Sequence, residues 1–230
     1  MKKKFLPALL CAATLACSLA ACGETANASG GETAQSIAFA FTDSGITASG
    51  SRTDGYEIDG TALTITDAGT YTLSGTCADG SVTVKKGTEG VTLVLNGLSL
   101  TSADTAPISC NKSTEVTILA ADGTTNTLTD AAENNDDAYP DNENAENAVL
   151  KCKDGSTVTL GGTGTLNIVA NGKNGIKSGA TTEEEGEASL TIRDLTLNIS
   201  APVNDAVNAE QLLNIESGTI TVSAADDALH

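Results

Sequence analysis

The sequence has no tryptophan, one histidine, one methionine and four prolines among 230 residues, and its only aromatics are three Phe and three Tyr. The single histidine, His230, rules out a cluster of several histidine metal ligands, and no Ser-His-Asp or Cys-His nucleophile arrangement is evident in the sequence. The chain also carries no phosphate-binding glycine loop, serine elbow or zinc-like cysteine pairing. Basic residues are scarce, 12 Lys and Arg against 30 Asp and Glu, for a formal net charge of −18. That balance excludes a phosphate-backbone binder of the usual basic kind, so nucleic acid is not an expected partner. After the first residues no stretch reaches the ~18 consecutive apolar residues that span a bilayer.

What is there begins with an export signal. Lys2, Lys3 and Lys4 form a basic start, an apolar run extends from Phe5 to Ala16, and Leu19-Ala20-Ala21-Cys22 has the form of a lipobox. Residues 1–21 are thus expected to be a lipoprotein signal peptide, with Cys22 acylated and holding the protein on the outer face of the cell membrane. A plain secretory signal cut after Ala-x-Ala is the alternative, and it also leads to export. Residues 22–36 are rich in Ala, Ser, Thr, Gly and Glu and suit a solvated tether. The body then holds 9 basic and 30 acidic residues, a formal charge of −21, since the three other lysines lie in the signal. Three of the six cysteines fall in the signal and anchor, and Cys77, Cys110 and Cys152 remain. An odd, sparse set in a body of this size reads as buried thiols rather than a disulfide framework.

From Tyr56 onward the chain is built of short runs in which apolar residues alternate with Thr or Ser, each closed by Gly, Asp or Asn, and no run has helical spacing. The body is all-β. Val158 to Ser178, Leu190 to Ala209 and Leu213 to His230 superpose as repeats, each with two apolar pairs and a third short strand. Laid over two looser copies, the third strands give a large apolar column of Ile108, Leu150, Ile176, Val207 and Leu229. Beside it runs a small inward column of Cys110, Cys152, Ser178 and Ala209. Ser109, Lys151, Lys177, Asn208 and His230 alternate with them and should face solvent. This stacking predicts a right-handed parallel β-helix over residues 37–230, with three short strands per coil. No polar cap follows the last repeat, so the chain is expected to continue in a longer protein or to complete its stack through a partner.

Two loops are rich in oxygen ligands, Asp130 to Asn147 and Glu183 to Glu187, and are compositionally able to bind calcium, although neither is an EF-hand. The corner before the third strand is more specific. Asn174, Asp205 and Asp227 form one column, with Asn204 and Asp226 just before two of them. Carboxylates stacked about 4.8 Å apart repel unless a cation or hydrogen-bond donors lie between them. Asp and Asn also form turns by bonding their own backbone, which would repeat in the same way. The double acid Asp226-Asp227 favours a metal, and the candidate calcium ligands are Asn174, Asn204, Asp205, Asp226 and Asp227.

Gly69-Thr-Tyr-Thr-Leu-Ser-Gly-Thr76, Val91-Thr-Leu-Val-Leu-Asn-Gly97, Asn126-Thr-Leu-Thr-Asp130, Gly162-Thr-Gly-Thr-Leu166, Asn174-Gly-Ile-Lys-Ser178 and Asp226-Asp-Ala-Leu-His230 come in an order that resembles a bacterial family. It is the calcium- and carbohydrate-binding β-helix family, typified by a clostridial cell-surface protein that binds cellulose and pectin-like acidic sugars. The resemblance runs from about Asp54 to the last residue. It implies a right-handed β-helix of polysaccharide-lyase-like fold, calcium at the coil corners and polysaccharide binding without established catalysis. Lys173 stands where the family pattern often has a second acid or amide, which favours Asp205, Asp226 and Asp227 over Asn174 as ligands. Lys177 and Asn208, close to the acidic corner, are the candidate carbohydrate contacts. After the signal the aromatics are Phe39, Phe41, Tyr56, Tyr71 and Tyr139, too few for an evident cellulose platform, so acidic glycans are the expected ligands ahead of cellulose. Two other readings are a calcium-dependent polysaccharide lyase with Lys177 as the base, and a surface adhesin that calcium only rigidifies.

Overall fold

Alternation of Val, Leu and Ile with Thr, Ser and Asn buries one face of many strands and leaves the other partly exposed, as in Glu115–Ala120 and Thr165–Ala170. The computed structural model describes residues 36–230 as nineteen strands without a helix among them. The proposed signal, Cys22 and all but the last residue of the tether lie outside the described residues. In chain order the strands are β1 (Ser36–Thr42), β2 (Gly45–Gly50), β3 (Tyr56–Asp59), β4 (Ala62–Ile65), β5 (Gly69–Cys77), β6 (Ser81–Val84) and β7 (Val91–Ser102). There follow β8 (Ile108–Cys110), β9 (Glu115–Ala120), β10 (Thr125–Asp130), β11 (Ala148–Cys152), β12 (Thr157–Gly162) and β13 (Thr165–Ala170). The last are β14 (Asn174–Ser178), β15 (Ser189–Ile192), β16 (Thr196–Ala201), β17 (Val207–Ala209), β18 (Leu212–Ile215) and β19 (Thr219–Ala224).

The expected right-handed parallel β-helix with three strands per coil is corrected by how these strands pair. They form two sheets: a curled, mostly parallel sheet of twelve strands and a second sheet of seven. The cause lies in β7, which is 12 residues long. Its first half pairs with β9 and its second half with β10, so two ladders that repeat spacing alone would separate are one sheet. From β7 one arm runs β9-β12-β15-β18 and the other β10-β13-β16-β19, while the second sheet runs β3-β4-β6-β8-β11-β14-β17. Antiparallel pairs β1-β2 and β3-β4 complete the N-terminal end.

The columns read from the repeats match the observed register, but Leu229, expected in the core, is 50% exposed, and Ser109, expected to face solvent, is buried. Ile108, Leu150, Ile176 and Val207 are successive partners, and Val207 bridges to Leu229. Cys110 pairs with Cys152, and Ser178 with Ala209. The three cysteines are free and buried. Apolar residues of both sheets form one core between them, filled at the N-terminal end by Phe39, Phe41 and Tyr71. Arg52 lies over the Tyr71 ring, 5.1 Å from its centre, and covers that end. The scarce aromatics therefore serve packing, and Tyr139 is the aromatic with substantial exposure among the described residues.

Candidate functional site

At the end of the second sheet formed by β14, β17 and the bridge to Leu229, the entering turns place polar side chains in register at the sheet margin. Pairing of Ile176 with Val207, and of Val207 with Leu229, brings Asn174, Asp205 and Asp227 to equivalent positions, as the sequence predicts. Asn174 and Asp205 are buried at 1% and 3% exposure, so their polar atoms need partners. Asn174 donates through Nδ2 to the Asn147 carbonyl (3.0 Å) and accepts through Oδ1 from Asn204 Nδ2 (2.9 Å). Asp205 accepts at Oδ1 from the Asp227 backbone N–H (3.2 Å) and at Oδ2 from Asn208 Nδ2 (2.8 Å). The Asn174 and Asp205 side chains thus serve the turns, each holding the backbone of a neighbouring repeat.

One cluster within it has the makings of an ion site. Asp205, Asp227 and His230 each offer a ligand atom, and these atoms lie within 4.8 Å of one another. His230 Nδ1 stands 3.3 Å from Asp227 Oδ2. Of the five predicted ligands, two enter this cluster, Asn174 and Asn204 bond each other, and Asp226 lies outside it with its backbone N–H on the Asn204 carbonyl. His230 was missed as a ligand because at the sequence level it stands only as the residue facing outward beside Asp227. Two carboxylates fall well short of the six to eight oxygens calcium takes, and an imidazole nitrogen does not add to them, so calcium at this corner would need most of its shell from water or a bound ligand.

The acidic loops look different once folded. In the 131–147 connection, buried Asn134 accepts the N–H of Glu146 (2.6 Å) and Asn147 (3.1 Å), and donates to Asp130 Oδ2 and the Ala148 carbonyl (both 2.9 Å). Asp130 in turn accepts the N–H of Asn171 (2.7 Å) and Gly172 (3.1 Å). Burial pushes its carboxyl up, and these donors pull against that. In the other loop, Glu185 turns inward onto Lys86 (2.8 Å) with Lys112 at 3.6 Å and the Ser113 hydroxyl at 2.9 Å from Oε2. The Lys86 contact is the largest of the effects that hold its carboxyl below the usual range. The buried acids of both loops therefore staple the insertions to the sheets.

Lys177 and Asn208 are register partners on the outer face of the second sheet, and Lys151 is the next partner of Lys177. Lys177 pairs with Glu210 at 3.5 Å, and Asn208 reaches back to Asp205. The polar face and the Asp205-Asp227 corner are thus joined by one hydrogen bond. Beside Lys151 opens a cleft of about 290 Å³, lined by Lys112, Lys153, Asp154, Glu210 and the 145–147 segment.

Fold and margin together define an all-β protein with a stacked polar face, and its nearest description comes from comparison with known proteins. A solved structure, the polysaccharide lyase-like protein from C. thermocellum in a gadolinium derivative, has the same fold with a TM-score of 0.60 and 24% identity, covering 85% of this chain and 93% of that one. Residues 59–230 match the family described as carbohydrate-binding domain-containing protein, and the chain belongs to that family. A carbohydrate-binding domain-containing protein of Acetivibrio thermocellus is 38% identical over 124 residues, 54% of this chain and 42% of that protein. The chain spans less than half the length of this curated relative.

Proposed function

We propose that the protein is a non-catalytic polysaccharide-binding module, held outside the cell membrane through Cys22, that takes acidic glycans with calcium at the Asp205-Asp227 corner. The observation that carries this reading is the continuity of corner and face: Asp205, which shares a cation cluster with Asp227 and His230, is bonded to Asn208, the register partner of Lys177. A glycan lying across the second sheet would meet a cation and hydrogen-bond donors within one or two strand steps of about 4.8 Å. Family membership supports a carbohydrate ligand. An acidic one is favoured because calcium can link two anions, and because the described residues expose little aromatic surface for stacking. The anchor rests on the lipobox alone.

Lys177 is engaged by the Glu210 carboxylate at 3.5 Å, and this favours binding over a role for Lys177 as the base of an elimination. Thermal unfolding with calcium and with chelator, each with and without polygalacturonate, tests the whole reading. The expected result is a melting temperature raised by calcium and raised further by the glycan when calcium is present. No response to the glycan under any condition would overturn the binding function. A rise in ultraviolet absorbance from unsaturated uronides during incubation would replace it with a lyase.

A further inference from the structure

All seven lysines among the described residues lie on β6, β8, β11 or β14, or within two residues of their ends. The other two basic residues, Arg52 and Arg193, are elsewhere. An acidic protein has therefore gathered its ammonium groups on one sheet. Most are matched by a carboxylate. Around the cleft beside β11, Lys153 holds Glu146 at 2.6 Å, Lys112 holds Asp154 at 3.4 Å and Lys177 holds Glu210 at 3.5 Å. These pairs use every carboxylate that lines the cleft. Lys151, also on its wall, has no ion pair and no side-chain hydrogen bond among the described residues, though it is half-buried and in register with Lys177.

An ammonium group in that position is costly: it has left part of its water, it faces a second lysine, and Glu146, whose charge offsets part of that cost, is already held by Lys153. Burial first, and then Lys177, accordingly hold its pKa below the usual lysine range. A folded protein keeps such a group with least penalty when a ligand supplies the missing charge. We infer that the cleft is a carboxylate subsite, in which Lys151 takes the carboxylate of one sugar residue of an acidic polysaccharide. This rests on the polysaccharide-binding reading above but not on calcium, since Lys151 shares no residue with the Asp205-Asp227-His230 cluster. A local ammonium group also offsets part of the repulsion that strongly negative overall charge exerts on an acidic chain.

The test compares trigalacturonate with its fully methyl-esterified form, titrated into the full chain at low salt with chelator present. Wild type should favour the acid over the ester by roughly tenfold or more, about the value of one charge-assisted hydrogen bond. Lys151→Gln should bring the two affinities to within about twofold while ester binding is kept, and Lys151→Arg should keep the preference. A loss of folding would lower both affinities together, so the ratio reads the contact itself. A Lys151→Gln protein with an unchanged acid-to-ester ratio, or a wild type that binds both forms equally, overturns the carboxylate subsite alone. A wild type that binds neither form, with calcium or without, overturns this subsite and the polysaccharide-binding function together.

Discussion

The Asn126 amide oxygen lies 2.9 Å from the backbone nitrogen of Gly97, and the same oxygen accepts the N–H of Leu98 at 2.9 Å. Here β7 leaves one arm of the large sheet for the other. Gly97 has φ of 74°, and the register of β7 against β5 slips beside it, between Leu73 and Gly75. Two N–H groups that lose their ladder partners at this bulge are recovered by one fully buried side chain. Asn126→Ala would orphan both, at a cost of roughly 2–4 kcal/mol. Urea denaturation should show that loss as a lower midpoint with an unchanged slope, and a midpoint within error of wild type would mean that Asn126 does not hold the bend.

That bend also explains what the sequence could not disclose. The inward columns of Ile108, Leu150, Ile176 and Val207 were legible because side chains in strands alternate and the repeats stack in register. Whether neighbouring ladders join depends instead on one strand passing unbroken through Asn96-Gly97, and in sequence that pair reads as a turn. The site shows the same division. Repeat position placed Asn174, Asp205 and Asp227 together, but not which oxygens remain open after hydrogen bonding. Lys151 was visible only as an outward residue, because two of the pairs that match its lysine neighbours, Lys112 with Asp154 and Lys177 with Glu210, join segments far apart in the chain.

At the corner, Asp205 and Asp227 repel in the absence of a cation and attract one when it is present. Asp227→Asn should therefore raise the melting temperature slightly in chelator and abolish any rise on adding calcium. The backbone N–H of residue 227 still reaches Asp205 in this variant, so the turn is kept. A calcium response as large as in wild type would remove Asp227 from the cation site.

Glu185 gives the protein a predictable acid limb. Its folded pKa lies below the ordinary 4.5, chiefly through Lys86, so unfolding makes the carboxylate bind protons more readily. The resulting stabilisation is complete above the ordinary value and is lost as pH falls through the depressed folded one. Lys86→Met should lower stability near neutral pH and reduce the loss between neutral and acid conditions, read from denaturant midpoints across pH. Parallel curves for variant and wild type would show that the Lys86 pair does not contribute to the pH dependence.

Ser178 continues the inward column of Cys110 and Cys152, yet its hydroxyl is fully buried and has no hydrogen-bond partner. Burying a hydroxyl without a partner costs about 1–3 kcal/mol, whereas a thiol at the same place behaves as a small apolar group. Ser178→Cys should thus stabilise the protein by about 1 kcal/mol, with Ser178→Ala gaining less because it leaves a small void against Ala209. Thermal and urea unfolding under reducing conditions would measure both. Destabilisation by the two substitutions alike would mean that the hydroxyl is satisfied after all, by a water bound inside the sheet stack.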